Sequence, residues 1–138
     1  MKTKTVIAKA KNKQAIARAR IKKGKKSYKV NGVPVDEHPN RMAKDILLIP
    51  IKLMETTLGE KTTQVDIDVN VSGGGVIGQA QASEVAVAKA LVEWTGSDKY
   101  KNTLLDYDRN LLVDDVRRKE PKKYLRKGAR ARPQKSYR

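Results

Sequence analysis

Most of the positive charge of this chain lies at its two ends, and that placement restricts which residues can build a core. Residues 1–29 hold 12 Lys/Arg and no acid, and residues 117–138 hold 11 Lys/Arg against the single Glu120. The segment between them, 30–116, has 8 basic and 14 acidic residues, so a mildly acidic body is flanked by cationic ends and the whole chain carries +16. A surface shaped only for solubility intersperses the two signs. Here each end repels itself, which points to a polyanion that relieves the repulsion. Nucleic acid fits better than an anionic membrane: a membrane-bound basic helix needs bulky apolar residues opposite its charges, and the C-terminal run offers only Leu125 and two tyrosines.

At 138 residues the chain has the size of one domain, but with 38% apolar and 33% charged residues not all of it can be in the core. Cysteine is absent, which excludes disulfides, thiolate metal sites and cysteine nucleophiles. The single histidine, His38 beside Pro39, is expected to be a solvated loop residue. No cofactor, metal site or enzymatic activity is expected. No run of 18 apolar residues and no secretory leader pattern occurs, so the expectation is a cytoplasmic protein without membrane contact.

Along the chain, residues 5–9 and 14–31 carry much of the N-terminal charge. Ala15, Ala17, Ala19 and Ile21 share one parity, and Ile16, Arg18, Arg20 and Lys22 the other, so this is a strand with a small apolar face and a cationic one. Gly24 among lysines predicts a hairpin that returns as Ser27 to Val30, and Asn31-Gly32 a second tight turn. Because all the charges in this segment have one sign, the polar face is expected to meet phosphate. Val33 to Pro39 reads as a loop. Asn40 reads as the N-cap of a helix through Leu48, which Pro50 either kinks or follows with a second short helix to about Leu58.

The clearest strand is Thr62 to Val71, with Val65, Ile67, Val69 and Val71 inward and Gln64, Asp66, Asp68 and Asn70 outward. Asp66 and Asp68 could pair for acid–base work, but without a histidine nearby they read as solvated strand carboxylates. Ser72-Gly73-Gly74-Gly75 then leads into a helix from Val76 to Thr95, stopped at Gly96 and rich in small residues that should pack closely on a sheet. Strand, glycines and helix resemble a phosphate cradle, yet neither the Gly-Lys-Ser/Thr of a P-loop nor GxGxxG spacing is present, so Gly73, Gly74 and Gly75 are expected to serve a tight backbone turn or an RNA phosphate. Asp98 to Tyr107 reads as a short helix and Leu111 to Val113 as a last core segment. The expected division is a single α+β domain over 1–116 and a basic extended tail over 117–138. The tail is half basic and broken by Pro121, Gly128 and Pro133, so alone it cannot offset its ordering entropy. Extended, its 22 residues reach about 70 Å at roughly 3.3 Å per residue.

Sequence-specific DNA readers carry their basic residues on a recognition helix, whereas here the basic residues fall on strands and a tail. Base-reading RNA modules stack bases on aromatics, and this chain has no Phe and no clustered aromatics. What remains is recognition of RNA backbone and shape. The candidate RNA-binding residues are Lys13, Arg18, Arg20, Lys22 and Lys23 near the N-terminus, and Arg117, Arg118, Lys119, Lys122, Lys123, Arg126, Lys127, Arg130 and Arg132 in the tail.

Four blocks also carry a family resemblance. They are Gln14 to Ile21 (QAIARARI), Val30 to Val35 (VNGVPV), Ser72 to Ala80 (SGGGVIGQA) and Gly128 to Arg138 (GARARPQKSYR), which span nearly the whole chain in this order. Together they resemble protein nine of the small ribosomal subunit, in its archaeal and eukaryotic branch, and the compact chain looks archaeal. The resemblance implies a fold of the ribosomal S5 domain-2-like type, a four-stranded mixed sheet with packed helices. It implies a structural role in the head of the small subunit, with ribosomal RNA, neighbouring head proteins and the anticodon stem-loop of P-site tRNA as partners. The tRNA contact would fall on Lys135, Ser136, Tyr137 and Arg138. The alternative from another class is a free-standing, chromatin-like DNA-compacting protein, which needs the same charge and tails.

Overall fold

Period-2 alternation makes the strands of this protein and 3.6-residue periodicity its helices, and both leave one apolar side to bury. The structure, a computed structural model, describes residues 4–59, 64–132 and 134–136. Among the described residues the chain runs β1 (Thr5–Asn12), β2 (Ala15–Lys23), β3 (Tyr28–Val30), β4 (Val33–Pro34), a 3-10 turn (Val35–Glu37), α1 (Arg41–Leu58), β5 (Val65–Ser72), α2 (Val76–Thr95), α3 (Asp98–Tyr107) and a 3-10 turn (Arg109–Leu112). The strand order is β1-β2-β5-β3-β4. Among these five strands only β3 and β5 pair in parallel, so the sheet is mixed and the class α+β.

Two expectations about the sheet are corrected. It has five strands rather than four among the described residues, because the Asn31-Gly32 turn brings Val33–Pro34 back as a short edge strand on β3. Nor does β3 return against β2. The Gly24 loop instead passes over the end of β5, and β5 lies between them. The Asp66 carboxylate holds that crossing, accepting the Lys25 N–H at 3.0 Å and the Ser27 N–H at 3.2 Å. A Cβ on Gly24 would overlap the same carboxylate, which is why glycine sits there. Asn31, at φ +50°, fixes the other end of β3 by exchanging two side-chain hydrogen bonds with the Val71 backbone.

The buried parity of β2 is Ala15, Ala17, Ala19 and Ile21, and that of β5 is Val65, Ile67, Val69 and Val71. Against these small side chains lies α2, whose Ala82, Ala86, Ala88 and Ala90 are fully buried, so helix and sheet approach closely. α1 and α3 cover the far side of α2, which therefore buries residues around most of its circumference. α1 is one continuous helix, capped at Asn40, whose side chain accepts the Ala43 N–H at 3.1 Å. Pro50 denies the Ile46 carbonyl a partner. Yet the proline is buried, and its own carbonyl accepts the Tyr100 hydroxyl at 2.8 Å, so tertiary contact holds the helix through the break.

Candidate nucleic-acid interface

With one face of the sheet under the helices, the other is open, and the strand register sets which charges meet there. β1, β2 and β5 place Lys9, Arg18 and Asn70 in one row, Ile7, Arg20 and Asp68 in the next, and Thr5, Lys22 and Asp66 in the third. Lys29 of β3 sits on the far side of Asp68. Lys9 and Lys29 were not among the sequence candidates, although Lys9 and Lys11 alternate with the buried residues of β1; the missing information was which strands are neighbours. Ile7 and Ile16, 66% and 45% exposed, share this cationic face.

The register also corrects the reading of the two aspartates as solvated carboxylates and of the basic parity as free of acids. Asp68 accepts from the Arg20 guanidinium at 3.0 Å, and Asp66 is engaged by the Gly24 loop. Arg18, between Lys9 and Asn70, meets no acid across the strands. Lys23 ends β2 exposed, and Lys13 lies in the two-residue turn of the β1–β2 hairpin at φ +53°.

The glycine turn lies against that hairpin. Gly73 and Gly74 have φ of +77° and +69°, and a Cβ on Gly73 would stand 2.5 Å from the Gln14 carbonyl oxygen. Gly75 is different. It takes φ −109° as the N-cap residue of α2, with open space where a Cβ would be. The turn is thus shaped by close backbone approach, as two of the three glycines require.

The C-terminal segment leaves the domain at the same hairpin. Asp115 bridges to the edge of β1: the Lys13 N–H donates to its carbonyl at 2.8 Å and its own N–H donates to the Lys11 carbonyl at 3.0 Å. The Asp114 carboxylate accepts from Lys89 at 2.7 Å and from the Lys11 N–H at 3.3 Å. Arg117 forks onto Asp115, and those side-chain hydrogen bonds hold the Asp115 carboxyl down to about 2. Basic hairpin tip and basic segment are therefore joined at one fixed point.

A profile of the family described as ribosomal protein S9/S16 matches residues 10–138. The chain belongs to this family. It is similar to the small ribosomal subunit protein uS9 of Picrophilus torridus, 45% identical over 96% of this chain and 97% of that one. It is likewise similar to the uS9 proteins of Methanothrix thermoacetophila, 45% identical over 98% and 99%, and Thermoplasma volcanium, 44% identical over 96% and 98%. The relatives are archaeal, and this S9/S16 member is of their type.

Beyond Asp115 no helix or strand occurs among the described residues of this S9/S16 chain. Arg118, Lys119, Lys122, Lys123, Lys127, Arg130 and Arg132 are exposed, as are Lys135 and Ser136, while Arg126 is half-buried. Two of these cations lean on Glu120, Arg130 at 2.8 Å and Lys123 at 3.7 Å. Tyr137 and Arg138 lie outside the described residues, as does the Pro133 of the expected helix-breaking set. Among the described residues no helix is long and apolar enough to cross a membrane, and no group of His, Cys, Asp or Glu could hold a metal ion.

Proposed function

We propose that this chain is a structural, non-enzymatic constituent of the small subunit of the cytoplasmic ribosome, binding small-subunit ribosomal RNA through its open sheet face and its basic C-terminal segment. The observation that carries the reading is the joining of two cationic surfaces at one corner: the Lys9–Arg18 row on the sheet and the run from Arg117 that leaves beside Lys13. Such a surface neutralises backbone phosphates and gains affinity from counterion release without reading bases. The family match along residues 10–138 supports assigning that RNA to the ribosome.

Within this reading the sheet and helices follow the ribosomal S5 domain-2-like type, and the protein sits in the head beside other head proteins. Residues 1–116 act as the folded body. Residues 117–138 act as a tail, unfolded in the free protein, that threads through RNA until Lys135, Ser136, Tyr137 and Arg138 reach the anticodon stem-loop of P-site tRNA. Cosedimentation tests the main reading: the full chain, expressed in cells, should travel with small subunits in moderate salt. Its absence from them, with stronger retention on duplex DNA than on structured ribosomal RNA at matched salt, would instead favour DNA compaction.

A further inference from the structure

A cavity of about 590 Å³ opens at the root of the C-terminal segment, between the β1–β2 hairpin tip, one side of α2 and the turn after α3. Four carboxyls line it, together with Lys11, Lys13 and Arg117. Two are answered: Asp114 by Lys89 and Asp115 by Arg117, both at 2.7 Å. The other two make no ion pair among the described residues. The carboxylate of Asp108, exposed at the C-terminal end of α3, accepts the Asn110 N–H at 2.8 Å. Glu84 of α2 is 8% exposed and makes no hydrogen bond or ion pair among the described residues. Burial, and after it the Asp108 charge, pushes the Glu84 carboxyl up to about 7. A buried acid facing a second acid across open space is the condition that a cation relieves.

The walls narrow down which cation. Val85, Leu111, Val113 and Val116 give the cavity an apolar side, suited to the methylene stem of a long basic side chain whose head reaches the acids. A small hydrated metal ion gains nothing from that side. A phosphate drawn to Lys11 and Lys13 would still meet Glu84 and Asp108, the two acids without an ion pair among the described residues, and Asp108 is the charge that acts on Glu84. The chain's own tail is already led away, since none of its described residues after Arg117 lines the cavity.

We propose that this cavity receives a lysine or arginine side chain carried on an extended basic segment of a neighbouring protein of the small subunit. The source of the segment rests on the ribosomal reading; the chemistry of the cavity does not. The test uses the free full-length chain, following the Glu84 and Asp108 carboxyl carbons by NMR while a six-residue arginine–glycine peptide is added at fixed ionic strength. The Glu84 midpoint should fall from about 7 toward the ordinary carboxylate range. Glu84→Gln should weaken the peptide about tenfold, as expected for loss of one charge-assisted contact. Asp108→Asn, which removes the charge and keeps a side-chain oxygen for the Asn110 N–H that caps the 3-10 turn, should weaken it in the same direction. Four results overturn the proposal: no response to the peptide; a response to magnesium chloride alone; a midpoint already low at every protein concentration, which assigns the cavity to the chain's own tail; or one that falls only as protein concentration rises, which assigns it to a second copy. None of these depends on cosedimentation, so failure here leaves the ribosomal reading standing.

Discussion

Arg18 and Arg20 are two residues apart on one strand, and their cross-strand neighbours make them different groups. Arg20 shares its charge with Asp68, while Arg18 has only Lys9 and Asn70 beside it. Replacing Arg18, Arg20 and Lys22 together by glutamine should weaken RNA binding and flatten its dependence on salt, since roughly 0.7 to 0.9 counterions are released for each phosphate neutralised. Asp68→Asn should do the reverse, because it frees Arg20 for phosphate. Binding isotherms over a salt series measure both, and unchanged slopes in the two variants would remove this face from the interface. The glycine turn permits a similar contrast. Gly73→Ala forces a side chain into the left-handed region and onto the Gln14 carbonyl, which should destabilise the fold by roughly 2 to 3 kcal/mol. Gly75→Ala, with ordinary φ and open space, should be tolerated. Equal denaturation midpoints for these two variants would contradict the geometry.

At the scale of elements, the parts legible in the sequence are those whose signal is local. The alternation from Val65 to Val71, the helix Val76–Thr95 stopped at Gly96, the helix Asp98–Tyr107 and the Asn40 cap all sit where their spacing and capping chemistry put them, while Thr62 and Thr63, with which the expected strand begins, lie outside the described residues. Strand neighbours were not legible. Period 2 tells which face a residue takes but not which strand lies beside it, and the parallel β3–β5 pairing joins residues about 40 apart in the chain. The same gap hid the Arg20–Asp68 pair and the places of Lys9 and Lys29 on the open face. Pro50 was ambiguous because its burial, and the bond its carbonyl accepts from the Tyr100 hydroxyl, come from elements packed against α1 and not from local sequence. Glu84 was silent as well, one acid in an alanine-rich helix whose burial comes only from the elements packed around α2. Its carboxyl, near 7 in the fold against 4.5 as the reference value, binds a proton more tightly folded than unfolded. That contribution to stability is fully present below the lower value and is lost as pH rises through the higher one. Glu84→Gln should therefore flatten the fall in stability between about pH 4.5 and 7 and leave the variant more stable at pH 8. The gain is on the order of 1 kcal/mol, given the solvent that reaches the cavity. Urea denaturation of the two proteins at a series of pH values reads this difference directly.

At the scale of the whole molecule, charge is balanced in the helices and in excess elsewhere. The helices balance Asp45, Glu55, Glu84, Glu93, Asp98 and Asp106 with six cations, Arg41, Lys44, Lys52, Lys89, Lys99 and Lys101, while β1, β2 and the C-terminal segment carry the surplus of cations, joined where Asp115 pins the segment to β1. That pin fixes where the segment starts but not where it ends. Under the proposed reading, the upstream cations from Arg117 to Arg132 would hold the segment in ribosomal RNA, and the end beyond them would be free for a separate task. Lys135, Tyr137 and Arg138 offer two charges and one aromatic face, enough to hold a tRNA backbone without reading its sequence. Deleting residues 135–138 should then leave subunit assembly nearly intact, because four residues remove only two of the eleven cations in the segment. It should weaken P-site retention of tRNA by a few kcal/mol at most, given about 1 to 3 kcal/mol per stacked base and ionic contributions that fade with salt. The measurement is the dissociation rate of tRNA from purified small subunits carrying the shortened chain, taken at two salt concentrations. A faster rate at low salt that converges with the full-length rate at high salt marks the missing contacts as ionic, and a faster rate at both assigns the larger share to Tyr137 stacking. Rates equal to those of the full-length chain at both concentrations would remove the tRNA role and leave the segment as an RNA anchor.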